Sequence, residues 1–265
     1  MLSRRQFIAG AAFAGATAGG IVAEEEAAPN ATFNDDFNGP AGSAPDPAKW
    51  TYDLGAGGWG NNELETYTDS RTNSYIDGNS NLVIAVTEVN GAYFSARLTT
   101  QRRFSQIGGH FEARIKLASQ LGVWPAFWLL GQDIDKVGWP GCGEIDIYEN
   151  FGYSSEISSS VYAQKSRSDA YEYHAASAND GNWHVYRADV NAGGITFSRD
   201  GHEYGHCPHT FCPSAAWKFG PYEPNNGGMY FLLNVAVGGN SSQNPPPDTT
   251  KFPATMLVDY VRAGQ

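Results

Sequence analysis

The sequence predicts an all-β protein, an antiparallel sandwich, on three observations. Short runs of β-branched and aromatic residues recur between turn signals, turns are abundant with 31 Gly and 14 Pro, and few windows hold a helical period over three turns. The 265 residues suffice for one large β domain. Hydrophobic residues at 41% against 17% charged supply a sizeable core and argue against global disorder.

The first 23 residues stand apart from that pattern. Ser3-Arg4-Arg5-Gln6-Phe7-Ile8 followed by a short Ala- and Gly-rich apolar run reads as a twin-arginine signal peptide. The run is short and Gly-rich for a membrane span, and cleavage after Ala18 or Ala23 fits it. Residues 24–31 form an acidic, Ala-rich flexible leader, and residues 32–265 a single β-sandwich domain without a linker or internal repeat. The signal peptide predicts a protein secreted to the periplasm or beyond, without membrane association once it is removed, and a monomer is expected.

From residue 33 onward, strands are expected at residues 81–87, 109–117, 123–130, 144–149, 184–190, 230–237 and 256–262. In the second of these, Phe111, Ala113, Ile115 and Leu117 share one face. Asp77-Gly78, Asn90-Gly91 and Asp200-Gly201 mark turns between strands. The net charge of -11 argues against nucleic acid and other polyanions and favours a neutral polymer as partner. Cys207 and Cys212 are spaced to pair as a disulfide outside the cell, while Cys142 is left over as a small buried residue. The alternative reading of His206, Cys207, His209 and Cys212 as a zinc site matches no standard spacing.

The run Gly143-Glu144-Ile145-Asp146-Ile147-Tyr148-Glu149 carries the chemistry. Carboxylates on a buried strand are costly unless they are paired, hydrogen-bonded or used, and glycosidic bond cleavage commonly uses two of them. On a regular strand Glu144 and Asp146 share a face and Glu149 points the other way. One extra residue near Ile147 and Tyr148, a β-bulge, returns Glu149 to the face of Glu144.

Glu-Ile-Asp-Ile-Tyr-Glu resembles the catalytic signature of glycoside hydrolase family 16, in the longer form of its laminarinase-type members (endo-β-1,3-glucanases). The resemblance extends through Gly58-Trp59-Gly60-Asn61-Asn62-Glu63, Ser95-Ala96-Arg97-Leu98, Trp124-Pro125-Ala126-Phe127-Trp128-Leu129, Trp139-Pro140-Gly141-Cys142-Gly143-Glu144 and Leu233-Asn234-Val235-Ala236-Val237-Gly238-Gly239. It implies a β-jelly-roll sandwich with a substrate cleft on the concave sheet, retaining hydrolysis of laminarin-like β-glucan, and no cofactor for catalysis. By the same resemblance Glu144 is the nucleophile, Glu149 the acid/base, and Asp146 a hydrogen-bonding helper of Glu144.

Trp124 and Trp128 share a strand face, which suits either core packing or sugar stacking; the resemblance places both in the cleft. It also assigns sugar binding to Trp59 and Asn61 in the Gly-rich loop and hydroxyl contacts to Arg97 and Asn234. A structural calcium ion, held by Asp36, Asp259 and the Gly78 carbonyl, is the further expectation. The chain departs from the family pattern in two places, lacking a Trp soon after Gly239 and a His in the strand around residues 158–162. Same-fold hydrolases of mixed β-1,3/1,4-glucan or galactan are the alternative reading, followed by a non-catalytic β-glucan-binding protein, in which the two Glu positions are typically replaced.

Overall fold

The computed structural model describes residues 31–117, 122–151, 156–163, 171–175, 180–211, 228–240, 247 and 252–265. The expected signal peptide, nearly all of the leader, and Cys212 lie outside the described residues. The strands in chain order are β1 (Ala31–Asp35), β2 (Thr51–Tyr52), β3 (Glu65–Tyr67), β4 (Ser74–Ile76), β5 (Leu82–Val89), β6 (Ala92–Ser95), β7 (Arg97–Thr99), β8 (Gly109–Leu117), β9 (Val123–Gly131), β10 (Glu144–Glu149), β11 (Ile157–Tyr162), β12 (Tyr171–Ala175), β13 (Trp183–Asn191), β14 (Gly194–Arg199), β15 (His202–Pro208), β16 (Met229–Val237) and β17 (Ala254–Gly264).

They form two sheets. The smaller runs β12-β11-β10-β9-β16-β7-β2 and the larger β15-β14-β13-β8-β17-β5-β6-β3, with β1 beside β17 and β4 beside β5. The late strands β16 and β17 insert between early ones, β16 between β9 and β7, β17 between β8 and β5. This interleaving of distant segments makes the sandwich a β-jelly roll. One pair departs from the antiparallel expectation: β3 runs parallel to β6, because the chain passes through β4 and β5 before returning beside it.

All seven strands expected from pattern are present, each within a few residues of its sequence limits. Asn90 and Gly91 both take positive φ between Val89 and Ala92, and Asp200 and Gly201 do the same between Arg199 and His202, as two-residue hairpins require. At Asp77-Gly78 the turn is longer; the Asp77 carboxylate accepts from the backbone N–H groups of Asn79 and Asn81 and closes it.

Between the sheets lies one continuous apolar cluster. Phe231 on β16 is its hub, with ring centroids 5.4 Å from Phe33, 5.6 Å from Phe111 and 5.7 Å from both Phe104 and Phe127. It therefore joins both sheets. Cys207 on β15 is buried in the same cluster. A second, smaller cluster of Leu130, Cys142, Tyr230 and Leu232 lies on the other face of the smaller sheet, with Trp128 and Ile134 against it. It anchors the connection between β9 and β10, which includes the short helix α1 (Ile134–Val137). Gly131 allows that close approach, since a Cβ there would stand 2.0 Å from the Cys142 carbonyl oxygen.

Asp36 and Gly78 lie just past the ends of β1 and β4 and Asp259 in the middle of β17, and both carboxylates already face cations. Asp36 lies 3.8 Å from Arg262, and Asp259 pairs with Arg114 at 2.7 Å. Among the described residues no group of three or more His, Cys, Asp or Glu is gathered to hold a metal ion.

Truncating Phe231 to Ala should cost about 3–5 kcal/mol, because it leaves a cavity where both sheets meet. The urea midpoint of unfolding measures this, with the slope unchanged.

Candidate active site

Strand β10 is set by its burial pattern. Ile145, Ile147 and Tyr148 all lie in the inter-sheet core at 0% exposure. Two consecutive residues facing inward break the alternation of a regular strand. The register records the same event: Asp146 pairs with Trp128 and Tyr148 with Phe127, so Ile147 is the extra residue against β9. Against β11, Asp146 pairs with Ser160 and Glu149 with Ser158. The bulge predicted from the sequence is present at the expected residues, and it turns Glu149 to the face that carries Glu144 and Asp146.

On that face each outer carboxylate meets an indole. Trp139 Nε1 donates to Glu144 Oε2 at 2.5 Å, and Trp124 Nε1 donates to Glu149 Oε1 at 2.8 Å. Asp146 and Glu149 are almost wholly buried, while Glu144 is partly exposed. Trp124 is held in turn by Phe151, with ring centroids 4.9 Å apart, and by the backbone of Gly239. Gly239 has φ +97°, and a Cβ there would lie 3.1 Å from the Trp124 ring. Trp139 received no role from the sequence, although its segment was part of the family resemblance. Its indole projects from the β9–β10 connection, 39% exposed and 5.6 Å from the Tyr162 ring.

Arg97 joins two of the expected platforms. Its guanidinium lies 4.9 Å from the Trp59 ring centroid and 4.7 Å from that of Trp128, and Nε pairs with Asp53 at 2.9 Å. Trp59 sits at φ 47° in a loop where Gly55, Gly57, Gly58 and Gly60 also take positive φ. Asn234 Oδ1 accepts from Trp128 Nε1 at 2.7 Å, and its Nδ2 donates to Tyr67 Oη at 3.0 Å. Tyr67 Oη donates to Glu63 Oε2 at 3.2 Å, and Asn61 Nδ2 donates to Glu63 Oε1 at 3.0 Å. Trp128, Asn234, Tyr67, Glu63 and Asn61 therefore form one hydrogen-bonded chain. Asn234 and Asn61 are oriented by protein partners, and Glu63 and Tyr67 complete a network that no spacing rule in the sequence indicates.

Glu65 lies beneath this chain, 1% exposed, with Oε2 accepting from the Val237 N–H at 2.6 Å. Burial first, then the charge of Glu63 and a hydrogen bond shared with it, raise the Glu65 carboxyl from the ordinary 4.5 to about 8, against the lowering effect of the Val237 N–H. At neutral pH the Glu65 carboxyl is thus held mainly in its protonated form.

A β-sandwich that sets buried carboxyl groups among indole faces along one sheet is built as a polysaccharide hydrolase. A family model described as glycosyl hydrolases family 16 matches residues 61–252, and the chain belongs to this family. A β-glucanase of Rhodothermus marinus is 33% identical over 82% of this chain and 79% of its own length. Glucan endo-1,3-beta-glucosidase A1 of Niallia circulans is 30% identical over 88% of this chain, which spans only 37% of that protein. The crystal structure of the laminarinase from Rhodothermus marinus superposes with a TM-score of 0.78 at 31% identity, covering 89% of this chain and 97% of that one.

Two outcomes follow from the geometry. Because the folded value of Glu65 is raised, its contribution to stability is complete below pH 4.5 and is lost as pH rises through about 8. Glu65→Gln should remove at least ~1 kcal/mol of that decline, read as a flatter plot of melting temperature against pH. Gly239→Ala should destabilise by about 1–2 kcal/mol and lower glucan hydrolysis, by straining the backbone and pressing on Trp124; thermal melts and initial rates measure both.

Proposed function

We propose that this chain is a retaining endo-β-1,3-glucanase that hydrolyses laminarin-like β-glucan by double displacement. The observation that carries this reading is the bulge in β10, which places Glu149 on one face with Glu144 and Asp146. Glu144 and Glu149 pair with Leu130 and Ala126, four positions apart on β9. At a rise of about 3.3 Å per residue their Cα atoms stand roughly 13 Å apart. Two glutamate side chains leaning toward each other close most of that span, toward the about 5–5.5 Å separation of a retaining pair.

In the first step the Glu144 carboxylate attacks the anomeric carbon, the glycosidic C–O bond breaks, and the Glu149 proton goes to the departing oxygen. This forms a glycosyl ester on Glu144 and removes its charge. Glu149, now ionised, takes a proton from water; the water oxygen attacks the same carbon and the ester bond breaks. Asp146 supports the Glu144 side chain between the two. The indole N–H groups of Trp139 and Trp124 fix the two carboxyl planes, so orientation is set before substrate enters.

The Trp59, Arg97 and Trp128 stack offers apolar faces to neutral sugar rings, and the longer Glu-Ile-Asp-Ile-Tyr-Glu form favours β-1,3 over mixed linkages. The names of the relatives support the same substrate class. The twin-arginine leader supports action outside the cytoplasm.

Glu144→Gln should reduce laminarin hydrolysis by at least ~10³-fold with the melting temperature kept. Product analysis on laminarin, lichenan and agarose, with the anomer followed by NMR, checks linkage and stereochemistry. Rapid cleavage of agarose with none of laminarin would overturn the substrate, and an inverted first product would overturn the mechanism.

A further inference from the structure

The bulge in β10 has a carbonyl that the ladder does not serve. Ile147 is skipped in the pairing with β9, and Ser159 is skipped in the pairing of β10 with β11. Both lie inside the sandwich, where no water is at hand and an unmet carbonyl is costly. Ser159 Oγ lies 2.9 Å and Tyr204 Oη 3.2 Å from the Ile147 carbonyl oxygen, and the two hydroxyl oxygens stand 2.7 Å apart, so one hydroxyl donates to the carbonyl and the other donates to that hydroxyl. Ser159 is 0% exposed on β11. Tyr204 comes from β15, at the edge of the opposite sheet, with its ring stacked on Phe197 at 6.4 Å.

We infer that Tyr204 and Ser159 are positioning residues for Glu149: their hydroxyls lock the Ile147 carbonyl inward and so fix the bulge that turns Glu149 into the cleft. The inference rests on the reading of Glu149 as the acid/base. The lock lies two residues from that carboxyl and never touches substrate, because it stands on the core side of the strand. Only a donor suits it. A serine hydroxyl supplies one, and burial pushes the Tyr204 hydroxyl up to about 12, so it stays protonated across the working range of pH. Removing the alternation break altogether would turn Glu149 away from the cleft, so a weakened lock shows first as misaim of the acid/base. Displacements of about 1 Å at a reacting group can cost 100-fold.

Tyr204→Phe and Ser159→Ala should each lower kcat on laminarin about 10-fold with KM within twofold, and should shift the alkaline limb of the kcat/KM pH profile, which reports Glu149. The double variant should lose far less than the product of the two, since both act on one carbonyl. Ser159→Thr, which keeps a hydroxyl, should retain most of the rate. A packing role alone would lower the melting temperature and leave kcat and the alkaline limb in place; that result, or Ser159→Thr as impaired as Ser159→Ala, overturns the inference. If Tyr204→Phe does not fold, as judged by circular dichroism, the Ser159 pair decides alone. Glu149→Gln run alongside separates the two levels. Wild-type activity in Glu149→Gln overturns the acid/base reading itself, whereas an inactive Glu149→Gln beside unimpaired Tyr204→Phe and Ser159→Ala overturns only the lock.

Discussion

The gathering of the three carboxyl groups on one face depends on one irregularity, the pair of consecutive core residues Ile147 and Tyr148. A strand that alternates without interruption cannot place Glu144, Asp146 and Glu149 on one face, because the spacing of five between the outer two is odd. Sending two neighbours inward restores the parity. The apolar side chains make this stable: Ile147 fills the inter-sheet core, and Tyr148 packs on Tyr186 with ring centroids 4.4 Å apart. The same hydrophobic burial that holds the sandwich together therefore sets the face on which the three carboxyl groups stand.

A second constraint operates beside β16. There the protein buries a carboxyl, Glu65, and answers it with a backbone N–H and a proton rather than with a cation. Above it, the chain from Asn61 through Glu63, Tyr67 and Asn234 to Trp128 ties the Gly-rich loop to the sheet floor. Arg97 completes that floor by lying against both Trp59 and Trp128 while Asp53 holds its Nε. Trp59 and Trp128 are thus each covered on one face by Arg97, and Trp128 is tied at its edge by Asn234. Asn61, Glu63, Tyr67 and Asn234 offset their desolvation by hydrogen bonding to one another along that chain.

Much of this was legible in the sequence where local chemistry and position coincide. Strands with strong alternation or long apolar runs, such as β8, β13 and β16, are readable because their own side chains determine burial. Short strands such as β2, β3 and β7, of two or three residues, carry no periodic signal and exist because a neighbour offers a ladder. The parallel pairing of β3 with β6 is likewise a product of where the chain is led. At the site, the three acids and their parity could be read from seven residues. The partnership of Trp139 with Glu144, the Glu63–Glu65 pair and the hydroxyls on Ile147 could not, since each joins groups whose proximity comes from folding.

By itself the sequence determined the all-β class, the principal strands, the tight hairpins and the need for a bulge, because each follows from properties of adjacent residues. The tertiary structure alone decided which strands meet, with β16 and β17 inserted into the middle of their sheets. It also decided which indole faces which carboxylate, and where buried polar atoms find partners. The physical reason is distance along the chain: Tyr204 lies 57 residues from the carbonyl it holds, and Asn234 lies 106 from the indole it orients. No local rule reports such contacts, and they form only when the burial of both sheets brings the segments together.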